Sequence, residues 1–170
     1  MQSAVREQVR AHTRWAIRRD MAEILEIERH SYDAPWAEED FLRCLRQRNC
    51  IGMVAEVGEK VVGYMLYELE KKRLHLINFA VHPGFRRRGV GGMMVDKLKG
   101  KLSGHRRQAL TMEVRETNLP AQLFLRSQGF RARKVTRRSF QDTGEDGYWM
   151  VYVLPPESGG GRRPCQGVGW

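Results

Sequence analysis

The chain has 170 residues, of which 41% are hydrophobic and 29% are charged. This size and composition predict one globular domain and argue against disorder, collagen and a two-domain enzyme. The formal net charge of +10 favours an anionic partner, such as a nucleotide cofactor, RNA or a ribosome surface.

Neither a membrane segment nor a secretion signal is predicted. The longest stretch without charged side chains, 74–85, is shorter than the roughly 20 apolar residues that span a bilayer. Arginines interrupt the beginning of the chain, which lacks an apolar signal core. We therefore expect a cytoplasmic protein. Three cysteines without metal-ligand spacing indicate reduced thiols and no metal site: Cys44, Cys50 and Cys165.

Polar composition predicts that both ends of the chain are flexible. Residues 1–12 lack a clear hydrophobic period, and 156–170 contain a Ser- and Gly-rich stretch that is typical of a linker. We therefore expect one domain over 13–155.

The first half of this domain is predicted to contain a strand, two helices and a hairpin. Residues 13–18 favour a short strand, and Asp20 with Glu23 three residues later resembles a capping box for the first helix. A second amphipathic helix follows the break at Pro35-Trp36. Two runs rich in β-branched and aromatic residues flank a Gly-Glu-Lys turn and predict paired strands over 51–57 and 61–69.

The second half alternates strands and helices. We predict a strand at 74–81, a helix from Gly89, a strand at 109–115, and a helix capped by Asn118 and closed by Gly129. The last two strands are predicted to pair over 130–140 and 148–154. The resulting order, βααβββαβαββ, predicts a layered α/β domain with a mixed sheet.

A basic, glycine-rich loop precedes the third predicted helix. Its glycines let backbone approach a ligand closely, and the first turn of a helix offers unpaired N–H groups at the positive end of the dipole. Arginines beside such amides suit a pyrophosphate. The chain lacks the P-loop and GxGxxG patterns, which excludes those two nucleotide sites. The residues concerned are Arg86, Arg87, Arg88, Gly89, Gly91 and Gly92.

Two blocks resemble a known family. Arg86-x-x-Gly89-x-Gly91, after Asn78-Phe-Ala-Val-His-Pro, resembles the acyl-CoA-binding motif of the GNAT superfamily of N-acetyltransferases. A second block over 110–130 follows at the spacing which that family uses. Several segments are further similar to the RimI-type N-terminal acetyltransferases that modify a ribosomal protein: Pro35-Trp36, Asn78-Phe-Ala-Val, Glu113-Val-Arg with Asn118, and 142–148.

The resemblance implies a GNAT fold, with helices on both faces of a mixed central sheet and a splay between its fourth and fifth strands. It implies acetyl-CoA as donor and CoA as product, held by the loop and helix start at 86–92, which includes Val90. Backbone groups of Phe79 and Val81 would grip the pantetheine arm, with the Val81 N–H as an oxyanion hole. Asn118 resembles the Asn that family members use near the CoA arm.

Glu113 is the first candidate for the catalytic base, because RimI-like enzymes carry at this position a Glu proposed to take a proton from the attacking ammonium. Strand alternation puts Glu113 on the face opposite the apolar Met112 and Val114. A free Glu has a pKa of about 4.3 and is a poor base, so desolvation or a bridging water would have to assist it. The alternative is a surface Glu paired with Arg115.

His75 is the second candidate, because N-terminal acetyltransferases of this superfamily place Tyr or His at the matching position of the fourth strand. The analogy predicts that it lies across the splay from Glu113. The alternative is a half-buried packing histidine.

The general acid of many GNAT enzymes is missing. They carry a Tyr five residues before the Phe of the Gly-Phe pair, to protonate the leaving thiolate, and this chain has Leu125. A thiol with a pKa of about 8.5 leaves tolerably as a thiolate, so we expect slow turnover and not inactivity.

Because the predicted base is weak and the usual general acid is missing, the predicted acceptor is a protein α-amino group. It would attack acetyl-CoA directly in a ternary complex. Its pKa of about 8, against about 10.4 for lysine, leaves far more of it deprotonated at neutral pH. The expected partners are acetyl-CoA and a protein or peptide N-terminus, a ribosomal protein among the candidates. Five aromatic or proline residues are candidates for a peptide groove or for the core: Tyr32, Pro35, Trp36, Tyr148 and Trp149.

Three alternatives remain open at this point. The enzyme could acetylate a lysine or a small amine, or the chain could be a catalytically silent acyl-CoA sensor, which Leu125 favours. A basic nucleic-acid-binding domain is the third, but the basic runs sit in no known nucleic-acid-binding motif. We therefore expect no direct nucleic-acid function.

Overall fold

The computed structural model describes residues 8–156. The helices are α1 (Met21–Arg29), α2 (Glu38–Leu45), α3 (Val90–Lys99) and α4 (Leu119–Ser127). The strands are β1 (His12–Trp15), β2 (Cys50–Val57), β3 (Lys60–Leu69), β4 (Arg73–Val81), β5 (Ala109–Arg115), β6 (Arg131–Phe140) and β7 (Glu145–Val153). This order confirms the predicted one. Within 8–156, no helix is long and apolar enough to cross a membrane.

The strands form one seven-stranded sheet in the order β1-β2-β3-β4-β5-β7-β6. All neighbouring strands are antiparallel except β4 and β5, which run parallel. Their pairing joins only 73–76 to 109–112, and we call this stretch the paired half. Beyond it, 77–81 and 113–115 are not paired with each other, and we call this stretch the open half. The predicted GNAT splay is confirmed.

Helices cover both faces of the sheet. On one face, α3 and α4 pack on the strands and bury Val90, Met94 and Leu98 in what we call the α3-side core. On the other face, α1 and α2 bury Ile24, Ile27 and Phe41 against β2 and β3 in a second core. Apolar residues alternate between these two faces along the strands because successive side chains point to opposite sides.

The fold begins earlier than residue 13. β1 starts at His12, the Val9 N–H donates to the Arg88 carbonyl oxygen at 3.3 Å, and Val9 packs against the α3-side core. Of residues 8–12, in the segment expected to be flexible, the apolar Val9 and Ala11 pack against the α3-side core, whereas the polar residues beside them are exposed. The rest of that segment and the predicted tail, apart from Pro156, lie outside the described residues.

The predicted capping box of α1 is wrong. The Asp20 carboxylate accepts hydrogen bonds from the Ile17 N–H at 2.8 Å and from the Arg14 guanidinium at 2.7 and 2.8 Å. Glu23 instead accepts from the Val61 N–H at 3.2 Å. The Arg14 hydrogen bonds hold the pKa of Asp20 below its ordinary value. Tertiary partners on β1 and β3 have thus replaced local capping.

Candidate active site

A cavity of about 140 Å³ opens where β4 and β5 separate. Residues from α1 line it on one face of the sheet and residues from α4 on the other, so it is a slot through the sheet. Its lining consists of Glu28, Tyr32, Ala34 and Trp36 from α1 and the segment after it, Ile77, Asn78 and Phe79 from β4, 112–115 from β5, Asn118, Ala121, Phe124 and Leu125 from α4 and its cap, and Phe140 from β6.

Side chains replace β5 as partners of β4 in the open half. The Phe79 carbonyl oxygen accepts from the Tyr32 hydroxyl at 2.6 Å, and that of Val81 accepts from Arg86 Nε at 2.8 Å. The His82 N–H donates to the Val62 carbonyl oxygen on the β3 side. Strand alternation therefore turns the backbone N–H and carbonyl of Val81 towards the splay. Burial raises the pKa of Tyr32, which keeps its hydroxyl protonated as a donor.

The first turn of α3 presents free backbone amides next to this slot. Gly89 caps the helix with φ of +87°, a conformation that glycine adopts without strain, and the Met93 N–H donates to its carbonyl oxygen. The amides of 90–92 precede this first intrahelical donor. No side chain caps this end in the described structure, and no acidic residue lies in the first turn. These features fit an anionic diphosphate.

The three arginines of the loop have different surroundings. Arg86 turns back to β4 and to the segment after α1, where its guanidinium donates to the Val81 carbonyl oxygen and to Ser31 Oγ at 2.9 Å. The Arg88 guanidinium lies 5.5 Å from the centroid of the Phe85 ring. Arg87 is exposed and has φ of +62°. Arg86 thus fastens the loop to both layers, in addition to the charge that the sequence predicts for it.

Glu113 lies in the open half and lines the slot. It is half-buried, and its Oε1 atom accepts a hydrogen bond from Ser139 Oγ on β6 at 2.7 Å. Its neighbours Leu110 and Val114 are buried in the α3-side core on the opposite face, which confirms the predicted alternation. The carboxylate of Glu113 therefore faces the slot between β4 and β5.

His75 lies in the paired half and is not among the residues that line the slot. Its Nδ1 atom is 2.9 Å from Thr111 Oγ1, and its ring stacks on Trp149 with centroids 4.9 Å apart and an interplanar angle of 13°. Burial lowers the pKa of His75. The expectation that His75 faces Glu113 across the splay is corrected, because β4 and β5 separate only after Leu76.

A buried carboxylate at the same site was not predicted from the sequence. Glu28 is 1% exposed, and its carboxylate accepts from the Trp36 N–H at 2.8 Å, from Asn78 Nδ2 at 3.2 Å and from the Tyr64 hydroxyl. This network attaches α1 and the segment after it to β4. The signal was present in the sequence, because Glu28 lies four residues after Ile24 on the buried face of α1.

Comparison with known proteins identifies the family. A model described as the acetyltransferase (GNAT) family matches residues 19–130. The chain belongs to this family. It is an N-acetyltransferase that uses acetyl-CoA, as expected from the sequence.

Individual relatives include proteins named as N-alpha-acetyltransferases and as ribosomal protein-alanine N-acetyltransferases. The chain is 28% identical over 148 residues to an N-alpha-acetyltransferase of Sulfurisphaera tokodaii, with 79% of this chain and 88% of the relative covered. It is 26% identical over 126 residues to the ribosomal protein bS18-alanine N-acetyltransferase of Salmonella typhimurium, with 74% and 84% covered. Its fold matches that of Ard1 from Thermoplasma volcanium with a TM-score of 0.77 at 22% identity, over 87% of this chain and 100% of the other.

The remaining candidate residues of this GNAT domain divide between site and core. Asn118 lines the slot and caps α4, accepting from the Ala121 N–H at 3.2 Å, which leaves its amide donors for a ligand. Leu125 is 2% exposed and also lines the slot, without a proton to donate. Tyr148 packs against the α3-side core. Among the lining residues, Tyr32 supplies the single tyrosine hydroxyl.

Proposed function

We propose that this GNAT enzyme acetylates the α-amino group of a protein N-terminus by direct attack on acetyl-CoA in a ternary complex. The observation that carries the proposal is the slot through the sheet, with the carboxylate of Glu113 in its wall. The first turn of α3 packs on one face, and the segment after α1 borders the slot on the other. A donor held at α3 and an acceptor arriving beside Trp36 would meet in the open half.

Glu113 would act as the base in this mechanism. It takes a proton from the attacking ammonium, directly or through a water, and the free amine then forms a bond to the thioester carbonyl carbon. The Val81 N–H donates to the oxygen that becomes negative. The carbon–sulfur bond breaks and the sulfur leaves as a thiolate, because Leu125 cannot protonate it. The nitrogen gives up its second proton to this thiolate or to solvent as the amide forms. His75, stacked in the paired half, has no proton-transfer role in this account.

The choice of a protein N-terminus rests on chemistry and on relatives. An α-amino group, with a pKa of about 8, needs less help from a base than a lysine with a pKa of about 10.4. Two relatives bear names for α-amino acetylation, and one of these acts on a ribosomal protein. The net charge of +10 agrees with an acceptor in anionic surroundings such as the ribosome. We propose a ribosomal protein as the first acceptor to test.

The test is intact-mass detection of acetylated product from a panel of amines incubated with acetyl-CoA. The panel contains peptides with a free N-terminus, the same peptides with a blocked N-terminus and an internal lysine, and polyamines. We expect product only from the free N-termini, and loss of product with Glu113→Gln. Product from the blocked peptides would move the assignment to lysine. Calorimetric binding of acetyl-CoA without any product would favour the silent sensor.

A further inference from the structure

The strand pair β6–β7 is irregular beside Glu113. Thr136 is paired with Gly147, and the next pair is Phe140 with Glu145, so three β6 residues, 137–139, oppose the single residue Asp146. Arg138, within this bulge, has φ of +47°, a conformation that costs an arginine energy. Strain of this kind persists only where surrounding contacts hold it, and bulges are frequent where a side chain must be re-aimed near an active site.

Two sets of contacts hold the bulge. The Asp146 carboxylate accepts from the Arg138 N–H at 2.9 Å and from the Arg137 guanidinium at 2.5 Å. Arg115 of β5 fastens the connection that follows. Its guanidinium donates to Asp142 at 2.6 Å and to Glu145 at 3.0 Å, and it lies 4.1 Å from the centroid of the Phe140 ring. The segment is thus fixed from β7 through Asp146 and from β5 through Arg115.

The bulge places the Ser139 hydroxyl 2.7 Å from Glu113 Oε1. This contact crosses one intervening strand, because β7 lies between β5 and β6. The carboxylate reaches across β7 at Gly147, which is buried and has no side chain. A Cβ atom at this position would lie 2.3 Å from Glu113 Oε1 and 2.7 Å from its Cδ. Gly147 therefore provides the space that the present position of the carboxylate requires.

We propose that Ser139 and Gly147 are positioning residues for Glu113. The hydroxyl holds Oε1 over the glycine, which fixes the carboxyl plane and leaves Oε2 to receive the proton of the acceptor amine. The inference rests on the proposed function, because it concerns how the proposed base, Glu113, is oriented. A half-buried carboxylate without such a contact samples several rotamers, and a base displaced by about 1 Å loses roughly 100-fold in rate.

The experiment measures kcat and KM on the best amine of the panel for four single variants. We expect Ser139→Ala to lower kcat by about 10-fold and Gly147→Ala by about 100-fold, without a change in the KM for acetyl-CoA. Ser139→Thr keeps the hydroxyl and should retain most of the rate. Arg138→Gly is the matched control, because glycine adopts the positive φ without strain, and it should leave kcat unchanged. Thermal melting and calorimetric binding of acetyl-CoA verify that each variant folds.

Combination with Glu113→Gln separates positioning from general damage. If Ser139 and Gly147 act through Glu113, neither substitution lowers the residual rate of Glu113→Gln further. Full kcat in Ser139→Ala, or losses of equal size with and without Glu113, would overturn the inference while the proposed function stands. Full activity of Glu113→Gln itself would instead remove the proposed base. The two failures are therefore distinguishable.

Discussion

The two halves of the β4–β5 junction contain the same two strands and have opposite properties. In the paired half, His75 lies against Thr111 and under Trp149, and none of these three side chains lines the slot. In the open half, the carbonyl oxygens of β4 are bonded to side chains from other layers, and the carboxylate of Glu113 lines the slot.

The difference teaches that position along the strand, and not residue type, selects the chemical group here. Histidine is the better base near neutral pH by its ordinary pKa of about 6.5. His75 nevertheless lies where β4 and β5 pair and where stacking occupies its ring. Glu113 is the poorer base, but it lies two residues beyond Thr111 on β5, just past the last pair. In the proposed mechanism, the separation of the strands therefore places Glu113, and not His75, beside the acceptor amine.

The largest expected effect tests this difference directly. Glu113→Gln should lower kcat by about 100-fold or more, because a positioned base contributes roughly 10²–10⁴-fold. His75→Gln should stay within a few-fold of the parent enzyme, because its ring does not line the slot. Steady-state rates with a free N-terminal peptide measure both. A larger loss with His75→Gln than with Glu113→Gln would reverse the assignment of the two halves.

The second prediction concerns what holds the open half in place. Glu28→Ala removes the acceptor of the Trp36 N–H and of Asn78 Nδ2, whereas the Tyr64 hydroxyl keeps Asn78 Oδ1 as an acceptor. At about 1–3 kcal/mol for each lost acceptor, the free energy of unfolding should fall by at least about 2 kcal/mol. The matched control is Glu23→Ala on the same helix, which removes the acceptor of one backbone N–H and should cost about 1 kcal/mol. Urea unfolding at pH 7 measures both. Equal losses would show that the Glu28 network is not the main attachment of α1 to β4.

The third prediction uses the pH dependence of the paired half. Because burial lowers the folded-state pKa of His75, the unfolded chain takes up a proton first as the pH falls through about 6.5. The contribution of His75 to stability is therefore complete above this pH and decreases below it. We expect the stability advantage of the parent over His75→Gln to shrink between pH 8 and pH 5.5 in urea unfolding. His82, whose pKa is also lowered, is present in both proteins and cancels.

The smallest expected effect concerns the missing acid in the open half. Leu125→Tyr should raise kcat by less than about 10-fold, mostly at low pH, because a thiol with a pKa of about 8.5 needs little help to leave at higher pH. Leu125→Phe is the control, because it adds the ring without the hydroxyl. Equal rates for the two variants at every pH would show that a hydroxyl at position 125 does not protonate the leaving thiolate.

Much of the fold was predictable because it depends on local patterns. β5 and the Asn118 cap follow from alternation and capping chemistry in adjacent residues. The family motif predicted the splay and the start of α3. By contrast, Asp20 and Glu23 have good local capping chemistry and are bonded to Arg14 and to β3 instead. Local rules failed where a distant partner offered a stronger contact.

The site divides in the same way. The sequence identified Glu113, Asn118 and the glycine-rich loop, since each belongs to a short motif with its own chemistry. It gave no sign that Ser139 reaches Glu113 across β7, because that contact depends on a bulge, a strained arginine and an empty glycine position in two other strands.

By itself, the sequence determined the order of elements, the family and the chemical groups available. The tertiary structure decided where β4 and β5 separate, and with that which groups are exposed to a substrate. The physical reason is that alternation and capping involve neighbours along the chain, whereas the open half depends on contacts between distant segments. Tyr32 and Arg86 bond carbonyl oxygens of β4 where β5 does not pair, and Ser139 of β6 donates to Glu113.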